Sequence, residues 1–416
     1  MARSVQSLIE KEVARQRDSL IMIPSENYTS LKVREAVGSP LMHKYSEGYP
    51  WERYYQGNEY IDELEDLARE KAKKLFDVVH VNVQPYSGSP ANAAVFMALL
   101  SPGDTIMGMS LSAGGHLTHG HPNITFSGKF YNSVQYGVGG DGRIDYERLL
   151  SLAREVRPKM IIAGTTAYPR KLDFRKFARV AEKVDAILLA DISHIAGLVV
   201  GQVHVSPVGW AHVITTTTHK TLRGPRGALI MVTKKGLNEI DDIIKNIDRA
   251  VFPGLQGGPH NNTTAGIALA LQEATTKPFR QYASNTVHNA RILAQTLKKH
   301  GFEIVSGGTD NHMVLLNVTS FGITGRQLAV ALESAGIVTN FNSVPNDPRP
   351  PRDPSGLRLG TPAITTRKMR GHQMRDIAGF IDLVARNPYN KEVLEFVSGQ
   401  VKILTKRFPI PDNYGM

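Results

Sequence analysis

The sequence predicts an α/β protein of two domains, and three observations lead there. From residue 143 onward, helical and strand-like stretches alternate: helix 143–156, strand 159–164, helix 173–184, strand 186–191, then strand 212–217. Such alternation implies parallel strands joined by crossover helices. Upstream, Val79–Val83 reads as a buried strand, followed by a Ser/Gly turn and a helix from Ala91 to Leu100. After a long helical stretch, residues 278–300, the texture changes to short strands, a proline-rich loop and two closing helices. The expected organisation is therefore an N-terminal arm and large domain (1–277), a connecting helix (278–300) and a small domain (301–416). In open sheets of this kind ligands bind at the carboxyl ends of the strands.

Composition narrows the chemistry. The 416 residues are 41% hydrophobic, enough for two cores. No apolar run reaches membrane-spanning length and no secretory signal opens the chain, so a cytoplasmic protein is expected. Cysteine is absent, which excludes disulfides, thiol catalysis and zinc–thiolate sites and fits a reducing compartment. The net charge is +11 and the isoelectric point about 9.6. Basic residues are dispersed, with only short groups such as Lys298-Lys-His300, which argues against nucleic acid as the main partner. Anionic small molecules gain from the same field.

In chain order, residues 3–17 read as an amphipathic helix, with Val5, Leu8, Ile9 and Val13 at helical spacing, suited to an arm on a partner subunit. Ile23–Thr29 is a turn-rich loop containing Ser25. Lys44–Gly57 gathers tyrosines around one carboxylate, Glu47. Desolvation there can raise the carboxyl pKa and let it trade a proton with a substrate hydroxyl; a plain surface loop is the bland alternative. Residues 58–76 carry a helical stripe of Ile61, Leu64, Leu67, Ala68, Ala72 and Leu75. Pro85–Asn92 follows a strand and opens a helix, the arrangement in which backbone amides cradle a phosphate. An ordinary helix N-cap uses the same residues, and neither a Walker sequence nor GxGxxG is present. Thr105–Met109 is a short strand. Leu111–His121 holds three histidines within six residues, a possible zinc site that no carboxylate completes.

Three stretches fall at predicted strand ends. Ala163–Arg170 contains Thr166, and Ala190–Gly197 contains Asp191 and His194. In Thr215–Gly227, four threonines lead into His219 and Lys220 before an Arg-Gly-Pro-Arg-Gly turn. A lysine at such a mouth is partly desolvated, which lowers its pKa and frees the amine to form a Schiff base. Phe252–Pro259 is a glycine-rich loop. Asn311–Val318 reads as a strand, and Thr324 caps a helix ended by Gly336. Asn342–Arg352 is rich in proline, and Ser355–Ala363 sets Arg358 beside a strand. Arginine there can pair bidentately with a carboxylate, or form a structural ion pair. Helices 367–386 and 391–407 close the chain, with no internal repeat or low-complexity segment.

From Ser25-Glu-Asn27 through the Tyr45-x-Glu-Gly-Tyr-Pro run and the Thr215–Lys220 segment to Arg358-Leu-Gly-Thr-Pro362, nearly the whole chain resembles serine hydroxymethyltransferase. The resemblance implies the pyridoxal phosphate (PLP)-dependent transferase fold type I, with a mostly parallel mixed sheet flanked by helices and a smaller C-terminal α+β domain. It implies transfer of the hydroxymethyl group of L-serine to tetrahydrofolate, giving glycine and 5,10-methylenetetrahydrofolate. By matching position, Lys220 holds the cofactor and Ser87, Gly88 and Ser89 its phosphate. His116 stacks on the pyridine ring, Asp191 faces the ring nitrogen, and His194 lies by the phenolic oxygen. Thr166 stands where the family usually has serine and keeps the hydroxyl. His219 matches a position tied to reaction specificity, and Arg226 adds a charge near the site. Ser25 lies near the amino acid and Arg358 binds its carboxylate. Tyr45, Glu47 and Tyr55 reach the active site from the neighbouring subunit. Gly257 and Gly258 touch the neighbour's cofactor phosphate. The implied assembly is therefore a homodimer or higher. Leu111, Gly115, Leu117 and Asn342 match folate contacts.

Two positions depart from the pattern. Trp51 replaces a small residue, and Phe341 a position often basic, which keeps a modified pterin open as co-substrate. A related threonine aldolase acting without folate is the alternative enzyme, against which Leu111, Leu117 and Asn342 argue. A nucleic-acid binder is the alternative from another class, motivated by the isoelectric point alone.

Overall fold

A computed structural model describes residues 4–411. The chain divides into two compact units, one spanning Leu31–Ala283 and the other combining the chain up to Ser30 with that from Ser284 onward.

The larger unit is built on seven strands: β1 His80–Asn82, β2 Thr105–Met109, β3 Asn132–Tyr136, β4 Met160–Gly164, β5 Ile187–Asp191, β6 Val213–Thr217 and β7 Ala228–Val232. Their spatial order is β1-β7-β6-β5-β4-β2-β3. The run from β3 to β6 is parallel, while β7 pairs antiparallel with both β6 and β1. Central strands such as Met-Ile-Ile-Ala-Gly in β4 are buried throughout, as expected of strands covered on both faces. Helix Gly88–Leu99 packs Ala91, Val95 and Phe96 in the same apolar cluster as Ile162, Leu189, Val213 and Ile230. That helix starts at Gly88 rather than Ala91, so Ser87 occupies its N-cap position. Strands β3 and β7 were not anticipated from the sequence; β3 is a polar edge strand with little alternation to read.

The smaller unit carries an antiparallel sheet of β8 Glu303–Ile304, β9 Met313–Asn317, β10 Asn340–Asn342 and β11 Gly356–Gly360, in the order β8-β9-β11-β10. Leu316, Leu357 and Leu359 bury one face of it in a core with Ile377, Ile381, Val397 and Val401. Thr324 and Gln327 form a reciprocal capping box on helix Gly325–Ser334. Residues 4–30, counted with the large domain in the expected organisation, group with this unit instead. The reason is apolar: Leu20 and Met22 are fully buried in its core, and Leu20–Ile21 pairs in parallel with Ile337–Val338. The expected helix 367–386 begins only at Gly371, and a separate helix, Pro362–Thr366, precedes it, with Lys368 in the left-handed region between them.

Arg367 belongs to that break and is 1% exposed. Its guanidinium donates to the carbonyl oxygens of Arg17 and Ser19 at the end of helix Val5–Asp18, and of Thr405 and Phe408 at the end of helix Lys391–Arg407. Among the described residues no helix is long and apolar enough to cross a membrane.

Candidate functional site

Asp191 ends β5, next to Gly164 at the end of β4. Its Oδ2 accepts from His119 Nε2 and from Asn92 Nδ2, each at 2.9 Å. Its Oδ1 accepts from the Ser193 hydroxyl at 2.6 Å and the Ser193 amide at 3.1 Å. Burial alone would raise this carboxyl, but the bond and charge of His119, with Asn92, hold it well below the usual carboxylate range. The glycines make this approach possible. A Cβ on Gly164 would lie 2.9 Å from His119 Cε1, and one on Gly108 2.1 Å from the His119 carbonyl oxygen.

The threonine run of β6 continues the network. A strand alternates its faces, so Thr215 and Thr217 share one. Thr215 donates to Asn92 Oδ1 at 2.7 Å. The Thr217 amide donates to Ser193 Oγ at 3.1 Å, and Lys220 Nζ donates to Thr217 Oγ1 at 2.9 Å. Asp191, Ser193, Thr217 and Lys220 thus form one hydrogen-bonded chain. Lys220 sits in a tight loop, where Thr218 Oγ1 bonds the Pro225 carbonyl at 2.6 Å and the Gly224 amide bonds the Thr218 carbonyl at 2.7 Å. Gly88 opens its helix against this chain; a Cβ there would meet Thr217 Cγ2 at 2.8 Å.

Histidines line the same end of the sheet. His116 Nδ1 meets Thr118 Oγ1 at 2.8 Å, and Thr118 in turn accepts from Asn92. Burial, then the charges of His119 and Lys220, push His116 down to about 4, so its ring is neutral. Burial, then Lys220 and Arg226, push His219 down to about 3, and its buried Nδ1 has no hydrogen-bond partner among the described residues. His194 is buried, with its carbonyl accepting from the Thr221 hydroxyl at 3.0 Å. The Thr166 hydroxyl donates to the Gly115 carbonyl at 2.7 Å, tying the histidine loop to the end of β4. Leu111 and Leu117 stand exposed on that loop, as Arg226 does on its own.

Glu47, Tyr45 and Tyr55 form a second cluster. The Tyr45 and Tyr55 rings lie 5.0 Å apart, and both residues are exposed. A Cβ on Gly257 would meet Glu47 Oε1 at 3.1 Å, and one on Gly258 would meet the Tyr45 ring at 3.5 Å. No hydrogen bond or ring contact of Tyr45, Glu47 or Tyr55 reaches the Asp191–Lys220 network among the described residues. The loop is held from beneath by Arg53. Its Nη1 donates to the carbonyls of Ser46 at 2.8 Å and Gly48 at 2.7 Å, the neighbours of Glu47 on either side. Its other nitrogens pair with Asp62 at 2.8 Å and Glu65 at 2.7 Å. Trp51 occupies the second position of the two-residue turn between Tyr49 and Glu52, with φ +68°, a conformation that favours glycine. Its indole bonds Asp66 at 2.8 Å.

Ser25, Arg358 and Asn342 belong to the smaller unit. Ser25 is half-buried. Arg358 lies on β11, where its Nε donates to Asn340 Oδ1 at 3.0 Å. Burial pushes it down to about 10, which leaves it a cation at neutral pH. Asn342 Nδ2 donates to the Ser343 carbonyl at 2.7 Å.

The sequence reading missed Asn92, Ser193 and His119, all on Asp191. Asn92 lies one helical turn after Gly88, and His119 three residues after His116, so spacing held a weak signal for both. Among the described residues no group of three or more His, Asp or Glu side chains is placed to hold a metal.

Comparison with known proteins completes the picture. A family model described as serine hydroxymethyltransferase matches residues 1–381. The serine hydroxymethyltransferase of Acidothermus cellulolyticus is 55% identical over 415 residues, covering 98% of this chain and 95% of that protein. That of Sorangium cellulosum is 53% identical, with 98% and 95% covered. That of Desulfotalea psychrophila is 51% identical, with 97% and 93% covered.

Proposed function

The chain belongs to the serine hydroxymethyltransferase family, and from that premise we propose which of its residues perform the reaction. It transfers the hydroxymethyl group of L-serine to tetrahydrofolate, giving glycine and 5,10-methylenetetrahydrofolate, with PLP as cofactor. Bound PLP supplies the electron sink for the pair released when the Cα–Cβ bond of serine breaks.

One observation carries the assignment: an ionised, buried Asp191 linked through Ser193 and Thr217 to Lys220 Nζ. A carboxylate kept this acidic holds a proton on a ring nitrogen instead of taking it. His119, Asn92 and Ser193 keep it so, and Lys220 supplies the amine for a covalent link. The other residues fit the same cofactor. The helix beginning at Gly88 offers free amides and the hydroxyls of Ser87 and Ser89 to a phosphate. The neutral, flat His116 ring suits stacking on a heterocycle. Thr166, His194, His219 and Arg226 surround these groups and shape their field.

Arg358 anchors the amino-acid carboxylate, with Ser25 near the amino acid. Glu47 holds and moves the proton of the serine hydroxyl, with Tyr55 beside it. Leu111, Gly115, Leu117 and Asn342 receive the folate. Tyr45 and Tyr55 are exposed, Glu47 is half-buried, and all three cluster with Gly257 and Gly258 rather than with Lys220. That placement supports a homodimer in which this cluster completes the partner's site. A cytoplasmic location goes with this reading. Neither the aldolase nor the nucleic-acid alternative is supported by an observation here.

Borohydride reduction of the holoprotein, followed by peptide mapping, should place the cofactor label on Lys220. Label on any other lysine removes the assignment.

A further inference from the structure

We infer that Asn340 positions Arg358 for its carboxylate ligand with an uncharged acceptor, and so sets the preference for amino acids over their neutral amides. The inference rests on the proposed role of Arg358.

Asn340 and Arg358 are directly paired across β10 and β11, so their side chains leave the sheet on the same face. Arg358 Nε donates to Asn340 Oδ1 at 3.0 Å, which turns the guanidinium plane toward a fixed direction. The Asn340 amide is itself oriented, because its Nδ2 donates to the Phe341 carbonyl at 3.0 Å. On the opposite flank, Arg358 pairs with Leu315, which is buried in an apolar group with Val305 and Val344. With Nε engaged, a carboxylate cannot pair through the Nε side of the fork.

Asparagine and aspartate have nearly the same shape, and either oxygen could accept from Nε. Only asparagine accepts without adding a negative charge. A carboxylate at 340 would pair with Arg358 in surroundings that screen poorly and would compete with the substrate for it. An amide keeps the geometry and leaves the charge for the ligand. Asn340 is therefore a positioning residue whose neutrality matters as much as its reach.

The test uses the holoenzyme and three variants, Asn340→Asp, Asn340→Ala and Arg358→Gln. Dissociation constants are measured for glycine and for glycinamide, which lacks the carboxylate, with KM and kcat for serine. Asn340→Asp should weaken glycine about 100-fold, while glycinamide binds within about threefold of the parent. KM for serine should rise by a similar factor with kcat nearly unchanged. Asn340→Ala should weaken glycine about fivefold, again sparing glycinamide, and gives the same test should the aspartate disturb the sheet. The inference is overturned if Asn340→Asp binds glycine like the parent. Equal loss of glycine and glycinamide in both variants also overturns it, because the role is then merely structural. Should Arg358→Gln bind glycine unimpaired, the carboxylate reading itself is wrong and the inference falls with it.

Discussion

Replacing Arg53 with methionine removes a cation from a nearly dry cluster. The side chains of Arg53, Asp62 and Glu65 are 2%, 7% and 3% exposed. Both carboxylates then lose their counter-charge, and the carbonyls of Ser46 and Gly48 lose a shared donor. Removing one member of a buried ion pair costs about 3–5 kcal/mol, mostly from the charge left behind. In a unit of this size that lowers the thermal midpoint by on the order of 10 °C. Neutralising the partners as well, in Arg53→Met/Asp62→Asn/Glu65→Gln, should restore most of the loss, since no charge stays stranded. The penalty also depends on pH. Burial already pushes Glu65 up against the pull of Arg53, and losing Arg53 pushes it further. A carboxyl raised in the folded state weakens the fold above its folded pKa. That deficit shrinks as pH falls toward the unfolded value of about 4.5. The single variant should therefore be closer to the parent at pH 5 than at pH 8, as thermal unfolding at both values will measure. Turnover should fall about 10- to 100-fold, because the backbone on both sides of Glu47 is released. If the single variant lies within about 1 kcal/mol of the parent, or the triple variant is no more stable than the single, Arg53 is not the counter-charge described.

Two further outcomes are expected. His116 should titrate near 4 in the cofactor-free protein, by NMR of the imidazole, against an ordinary 6.5. Its folded value lies below the unfolded one, so its contribution to stability is whole above 6.5 and is lost as pH falls through 4; His116→Asn should flatten that part of the profile. Mixing Lys220→Ala with Glu47→Gln protein should restore activity if each site draws Glu47 from its neighbour. Verified subunit exchange without recovered activity would count against the shared site.

Much of the large sheet was legible because its strands are short apolar runs separated by helices of clear period. Strand β7 is just as apolar, yet it reverses direction after the Lys220 loop, and alternation alone gives no warning of a reversal. The small unit's claim on Leu20 and Met22 was equally hidden, since pairing with Ile337–Val338 joins distant parts of the chain. At the site, Asp191 and Lys220 stood out because they punctuate strand ends, whereas His116 was singled out only through the resemblance. Asn92 and His119 did not, because their contacts with Asp191 span 99 and 72 residues and leave no local pattern. Trp51 was noticed as a departure, and the backbone shows why a small residue was expected: the turn has a positive φ there, which a tryptophan adopts only with strain. The separation of Glu47 from the lysine network within one chain could be anticipated only through the resemblance.

Arg367 shows another way of burying a cation. It meets no carboxylate among its described hydrogen bonds; besides the Tyr28 hydroxyl, its partners are carbonyl oxygens at the ends of two helices. The aligned peptide dipoles leave roughly half a negative charge at each helix C-terminus, so two ends together supply about one. The counter-charge of Arg367 is thus largely the backbone itself, with Asp18 adding a more distant negative charge. A carboxylate partner can be silenced by acid, as Asp62 and Glu65 can beneath Glu47, whereas a helix dipole takes up no proton. On acidification this junction should therefore hold its electrostatics after the Arg53 cluster has lost its own, giving the two units different tolerance of low pH.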